Sequence, residues 1–158
     1  MKVTLRAATA SDAEQVAEVL LSSRCAFLPY APLTHRDEEV SSWIRDVLIP
    51  GGGVTVATEV TSVLGILATA SETGVSWINQ LYVRPGHVGR GIGSRLLEHA
   101  LGSLSAPVRL YTFQANAGAR RFYERHGFKS IACTDGSANE ERCPDVLYEL
   151  AVLSKRVA

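Results

Sequence analysis

Cysteine is scarce in this 158-residue chain: Cys25, Cys133 and Cys143 are odd in number, lie far apart and form no C-x-x-C pair. That pattern supports neither a disulfide framework nor a zinc site, and the thiols read as buried or incidental. An excess of one charge is also missing, because 16 basic residues meet 16 acidic ones. The broad electropositive surface that nucleic-acid binding requires is therefore not indicated, and no nucleic-acid partner is expected. The longest apolar runs, such as residues 63–70, fall far short of the roughly 18 residues of a bilayer span, so no membrane partner is expected either. Met1-Lys2-Val3 leads directly into a strand-like segment without a signal-peptide apolar region, which points to the cytoplasm. His87, His99 and His126 are scattered without ligand spacing, and no metal is expected. No linker, repeat or low-complexity stretch divides the chain, whose length suits one domain over residues 1–158.

What is present alternates between two periodicities. Residues 3–6 read as a strand, after which Ser11 or Asp12 caps a helix with Ala13, Val16, Ala17, Leu20 and Leu21 on one face. Residues 25–32 hold two prolines and two aromatics and are expected to form an ordered loop. Thr34 is the expected cap of a second helix with the stripe Val40, Trp43, Ile44, Val47 and Leu48, stopped by Pro50-Gly51-Gly52-Gly53. Residues 54–58, 62–70 and 75–83 are β-rich runs at hairpin spacing and predict an antiparallel meander. A helix follows on Ile92, Leu96, Leu97, Ala100 and Leu101, then a strand over 108–113 and a helix over 115–126 closed by Gly127. Strands over 128–134 and 146–152 enclose a polar loop, 135–145. The predicted fold is mixed α/β: a mostly antiparallel twisted sheet of about seven strands flanked by about four helices, in the order β-α-α-β-β-β-α-β-α-β-β.

The most informative stretch is Val88-Gly89-Arg90-Gly91-Ile92-Gly93, between the strand ending at Val83 and the helix that continues through Ser94. A strand, a glycine turn and a helix start aim free backbone N–H groups and a positive dipole end at one point, which suits a phosphate. A dinucleotide-binding fingerprint explains the glycines poorly. Ser94 stands where its third glycine belongs, and no acid ends the strand at Phe113.

Two segments resemble the signature motifs of the GNAT superfamily of acetyl-CoA-dependent N-acetyltransferases. Leu81-Tyr82-Val83-Arg84-Pro85 followed by residues 88–93 is similar to the strand and pyrophosphate loop of that family. Residues 116–128, beginning Asn116-Ala117-Gly118-Ala119 and ending His126-Gly127-Phe128, match its N-x-x-A-x-x-F-Y-x-x-x-G-F pattern. One departure is Val88, where the family usually carries Gln or Arg; this position often offers only its backbone N–H, so binding is expected to survive. The resemblance implies a single GNAT-like domain with acetyl-CoA as co-substrate. Leu81, Tyr82 and Val83 would lie along the pantetheine arm, and Val88, Gly89, Arg90, Gly91, Ile92, Gly93 and Ser94 around the pyrophosphate. Asn116 would hydrogen-bond the arm, or cap its own helix, or both.

Acetyl transfer to an amine needs a bound thioester, an unprotonated nucleophile and a proton for the leaving thiolate. By the resemblance Tyr123 is the general acid, since a phenol with pKa near 10 is protonated at neutral pH and can donate to sulfur. The strand before the loop offers Asn79 and Gln80 but no carboxylate, and Glu72 is too distant along an extended strand. The expected proton route is a water held by Asn79, with Glu140 or Glu141 of the last loop as candidate base or acceptor-binding groups. The resemblance sets that loop, with Asp135, beside an acceptor pocket whose other wall would hold Phe27, Tyr30 and His35; Trp77 is a further candidate contact. The acceptor class, small-molecule or peptide amine, stays open, and a homodimer is compatible with the resemblance. The rival expectation is an acyl-CoA-binding or sensing module with weak or no catalysis.

Overall fold

A computed structural model describes residues 2–153. Seven strands form one sheet in the spatial order β1-β2-β3-β4-β5-β7-β6. They are β1 (Thr4–Ala7), β2 (Val54–Glu59), β3 (Ser62–Glu72), β4 (Val75–Val83), β5 (Val108–Phe113), β6 (Lys129–Thr134) and β7 (Asp145–Leu150). Helices α1 (Ala13–Phe27), α2 (Asp37–Trp43), α3 (Ile92–Leu101) and α4 (Ala117–Arg125) complete the predicted order. Every strand pairing is antiparallel except β4 with β5. Among the described residues no helix is long and apolar enough to cross a membrane.

The core lies in two clusters. Val16, Val19 and Leu20 of α1 pack with Val40 and Ile44 against Val56 and Ile66 of the sheet. Ile92, Leu96 and Leu97 of α3 pack with Tyr123 of α4 against Leu67, Leu110 and Tyr148. Strand β3 contributes to both clusters, which explains why its sequence is a continuous apolar run rather than an alternation.

Several boundaries differ from expectation for local reasons. A short 3-10 turn, Ala10–Asp12, precedes α1, and Asp12 accepts from the Thr9 amide at 2.8 Å and from Arg6 at 2.7 and 2.8 Å. These donors hold the Asp12 carboxyl down at about 2. Helix α1 runs on to Phe27, past the expected start of the loop at Cys25, because Pro29 restricts only the residue before it. Helix α2 is entered from Arg36 rather than Thr34, and its first turn carries Asp37, Glu38 and Glu39, which suit the positive end of the dipole. It continues into a π-turn, Ile44–Leu48, whose extra residue per turn rotates the apolar stripe. Val40, Ile44 and Ile49 are consequently buried in line, with Val47 exposed inside the turn, while Trp43 is already exposed in the last turn of α2. The hairpin between β3 and β4 is tighter than the expected four-residue turn: Thr73 and Gly74 both take positive φ, and Glu72 belongs to β3.

Candidate active site

Strands β4 and β5 are joined only at Ser76 with Val108 and Trp77 with Arg109, and beyond these two pairs they part. In the same region the register of β4 against β3 slips, with Gln80 opposite Ala68 and Ile78 opposite Thr69, so Asn79 is the extra residue of a bulge. The bulge also switches faces: Ile78 joins the α3/α4 core, whereas Tyr82 packs on the α1/α2 core. The gap opens a cavity of about 930 Å³ that passes from one face of the sheet to the other. Leu20, Arg24 and Val40 line it from one side, Ala119 and Tyr123 from the other, and residues 78–82 of β4 face 110–113 of β5 across it.

Beyond the cavity, β4 leads into the glycine loop. Gly86, Gly89 and Gly91 have φ of 89°, 86° and 80°, and Gly91 forms the N-cap of α3. Its carbonyl accepts from Arg95, so the amides of Ile92, Gly93 and Ser94 in the first turn have no partner within the helix. Val88, Gly89 and Arg90 are exposed, so the departure at Val88 removes no interior contact. Val83 and residues 88–94 are not among the groups lining the cavity, whereas Leu81 and Tyr82 are. The position of α3 is set by Gly65, where a Cβ would come within 3.0 Å of Leu96 and 3.2 Å of Ile92.

Tyr123 and Asn116 both line the cavity from the α4 side. Asn116 Oδ1 accepts from the Ala119 amide at 3.1 Å, which makes it the helix cap and leaves its NH₂ group for other partners. Tyr123 is buried and packs edge-on against Phe122 and Phe128. Burial, with a smaller contribution from neighbouring Tyr82, pushes its hydroxyl well above the ordinary phenol value. The phenol is thus a proton donor at every physiological pH.

Side chains from separate elements also meet along the cavity lining. His35 Nε2 lies 3.2 Å from Glu140 and its Nδ1 3.8 Å from Glu39, joining the segment before α2 to the loop between β6 and β7. Glu141 is engaged by Arg24 at 3.5 Å, so it is less free than expected of a base. Arg24 also donates to the Ala31 carbonyl at 2.9 Å and the Tyr82 hydroxyl at 3.2 Å. The β6–β7 loop is an ordered structure rather than a solvated turn. Asn139 bonds both the amide and the carbonyl of Cys143 and donates to Asp145, whose carboxylate also accepts from the Thr134 hydroxyl. Gly136, with φ of 84°, sits against the Cys143 backbone, leaving no room for a Cβ.

Of the expected site residues, Asn79, Tyr82, Leu81, Asn116, Tyr123, His35, Glu140 and Glu141 come together around this cavity. Phe27, Tyr30, Trp77 and Asp135 do not line it. Phe27 is exposed at the end of α1, Tyr30 packs edge-on against Phe113, and Trp77 stacks on Tyr111. Asp135 faces solvent and accepts from the Ser137 amide, which lowers its carboxyl. Arg24 and Glu39 also line the cavity, beyond the expected residues, and Asp145 joins them from the polar loop. Arg24 had a readable signal, since it falls one turn after Leu20 on the buried stripe of α1.

Among the described residues no cluster of His, Cys, Asp or Glu is arranged to hold a metal. No curated protein sequence matches the chain. Solved structures share its fold. The PaiA N-acetyltransferase of Thermoplasma acidophilum, in complex with coenzyme A, is 23% identical with a TM-score of 0.74, over 96% of this chain and 100% of that one. Arabidopsis thaliana Naa50, in complex with the bisubstrate analogue CoA-Ac-MVNAL, is 21% identical with a TM-score of 0.70, again over 96% and 100%. The ribosomal-protein-S18-alanine N-acetyltransferase of Escherichia coli is 16% identical with a TM-score of 0.75, over 99% and 97%. The sequence model of the acetyltransferase (GNAT) domain matches residues 50–130, just over half of the chain and including the split strands, the glycine loop and α4. The chain therefore belongs to the GNAT acetyltransferase family.

Proposed function

We propose that this protein transfers the acetyl group of acetyl-CoA directly to a primary amine. The observation that carries the reading is the cavity through the β4/β5 gap, lined by the buried Tyr123 and by the carboxylates Glu39, Glu140 and Glu141. The glycine loop and the first turn of α3 would take the pyrophosphate. Leu81, Tyr82 and Val83 would guide the pantetheine arm along β4, and the free NH₂ of Asn116 would bond it. The acetyl thioester would then lie near the bulge at Asn79.

The amine nitrogen attacks the thioester carbon, the C–S bond breaks, and Tyr123 supplies a proton to the departing sulfur. A lysine-like amine with pKa near 10.4 is almost wholly protonated at neutral pH and must first lose a proton. A water held by Asn79 is the proposed route, leading to Glu140 or Glu141, both of which line the cavity. Support from other proteins comes from the coenzyme A held by the PaiA enzyme and the peptide-bearing analogue held by Naa50.

The test is thiol release from acetyl-CoA across a panel of small amines and peptides. Amine-dependent release is expected, and replacing Glu140 and Glu141 together by glutamine should raise KM for a cationic acceptor about tenfold or more. Acetyl-CoA binding without amine-dependent release would replace this reading with an acyl-CoA-sensing module.

A further inference from the structure

Arg24 is a buried cation whose partners do not match its charge. It is only 9% exposed, and among the described residues its one counter-ion is Glu141, held by a single contact of 3.5 Å. A well-formed guanidinium–carboxylate pair is bidentate at 2.7–2.9 Å, as Arg6 with Asp12 shows at 2.7 and 2.8 Å in this same chain. The other two partners of Arg24, Ala31 and Tyr82, are neutral, and its Nε–H is buried with no acceptor. A guanidinium has five donors, and leaving it in this state inside a protein is costly unless an anion arrives.

The place of Arg24 suggests where that anion comes from. It lines the cavity from α1, on the face of the sheet opposite the α3 start that carries the glycine loop. A phosphate at that loop is therefore not its partner. Arg24 holds the hydroxyl of Tyr82, and both line the same cavity as Asn79 and Tyr123, where transfer is proposed. Glu141, which Arg24 contacts, and Glu39 and Glu140, which flank His35, also line the cavity and would receive an ammonium group. A positive group and several carboxylates along one cavity match a ligand that carries both charges.

We infer that the acceptor is an amino-carboxylate: its amine is acetylated while its carboxylate binds Arg24. This rests on the acetyl-transfer reading above. Two sources share the chemistry, a free amino acid and a peptide whose first residue is Asp or Glu.

The experiment compares kcat/KM for matched acceptors: free amino acids, their carboxamides and their decarboxylated amines in one arm, and peptides beginning with Asp or Glu against Asn or Gln in the other. The carboxylate member should be favoured at least tenfold in one arm, and the responding arm identifies the source. In Arg24→Gln the preference should fall to about twofold or less, while Arg24→Lys keeps part of it. If Arg24→Gln does not fold, Glu141→Gln serves, since removing the competing carboxylate should enlarge the preference at least threefold. Turnover equal for carboxylate and carboxamide in both arms, or a preference that survives Arg24→Gln, overturns the inference and leaves acetyl transfer intact. Acetyl-CoA binding with no turnover of any amine removes both.

Discussion

Tyr123 is the single residue on which the proposed transfer depends most. Its burial keeps the proton on the phenol, because the charged form would have to lose its hydration inside the core. Tyr123→Phe keeps the ring and its packing against Phe122 and Phe128 and removes only the donor. We expect kcat to fall about a hundredfold, the scale of general-acid catalysis, with the Kd for acetyl-CoA unchanged by calorimetry. The direction of the pKa shift adds a second check. A phenol raised above its usual value stays protonated as the pH rises, so the kcat profile should show no basic limb from Tyr123 below about pH 10. A limb near pH 8 that vanished in Tyr123→Phe would contradict this assignment. Tyr123 and Asn116 were readable because they stand in a motif of fixed spacing on one helix. For Arg24 the α1 stripe shows its burial but not its contacts, since its partners Tyr82 and Glu141 are 58 and 117 residues away in the chain.

Among the elements, α3 and its seat decide how the anion-binding turn is presented. Gly65 lets α3 approach β3 so closely that a Cβ there would meet Leu96, Ile92 and the Tyr82 carbonyl at 3.0–3.2 Å. Gly65→Ala should cost about 1–3 kcal/mol by overpacking. The melting temperature is then expected to fall by about 3–9 °C, with weaker coenzyme A binding because the first turn of α3 is displaced. A variant as stable as the parent would show that the helix is free to move. The strands and helices themselves were nearly all legible, since apolar periodicity is local. The misses share a different cause. The π-turn after α2, the bulge at Asn79 and the firm β6–β7 loop each depend on contacts with another element, and none leaves a repeating pattern in its own segment.

At the scale of the whole molecule, the sheet is two parts, β1–β4 and β5–β7, held together by two paired positions on β4 and β5 and by the core beneath. A ligand filling the gap would bridge both parts. At one hundred times its Kd, coenzyme A should add about 2.7 kcal/mol by mass action. Differential scanning fluorimetry should then show an upward shift of the melting temperature, and hydrogen exchange should slow in β4, β5 and the start of α3. Stabilisation without protection in those strands would move the ligand elsewhere.

The order of elements, the glycine turn and the second motif are legible along the chain, because each rests on neighbours within a few residues. The separation of β4 and β5 around a cavity, the contact of Glu141 with Arg24 and the meeting of His35 with Glu140 arise in the folded chain alone. Those facts depend on distances between segments far apart in sequence, where composition and periodicity carry no information. The motif segments therefore speak for the donor, while the acceptor end is built from groups that only folding brings within reach of one another.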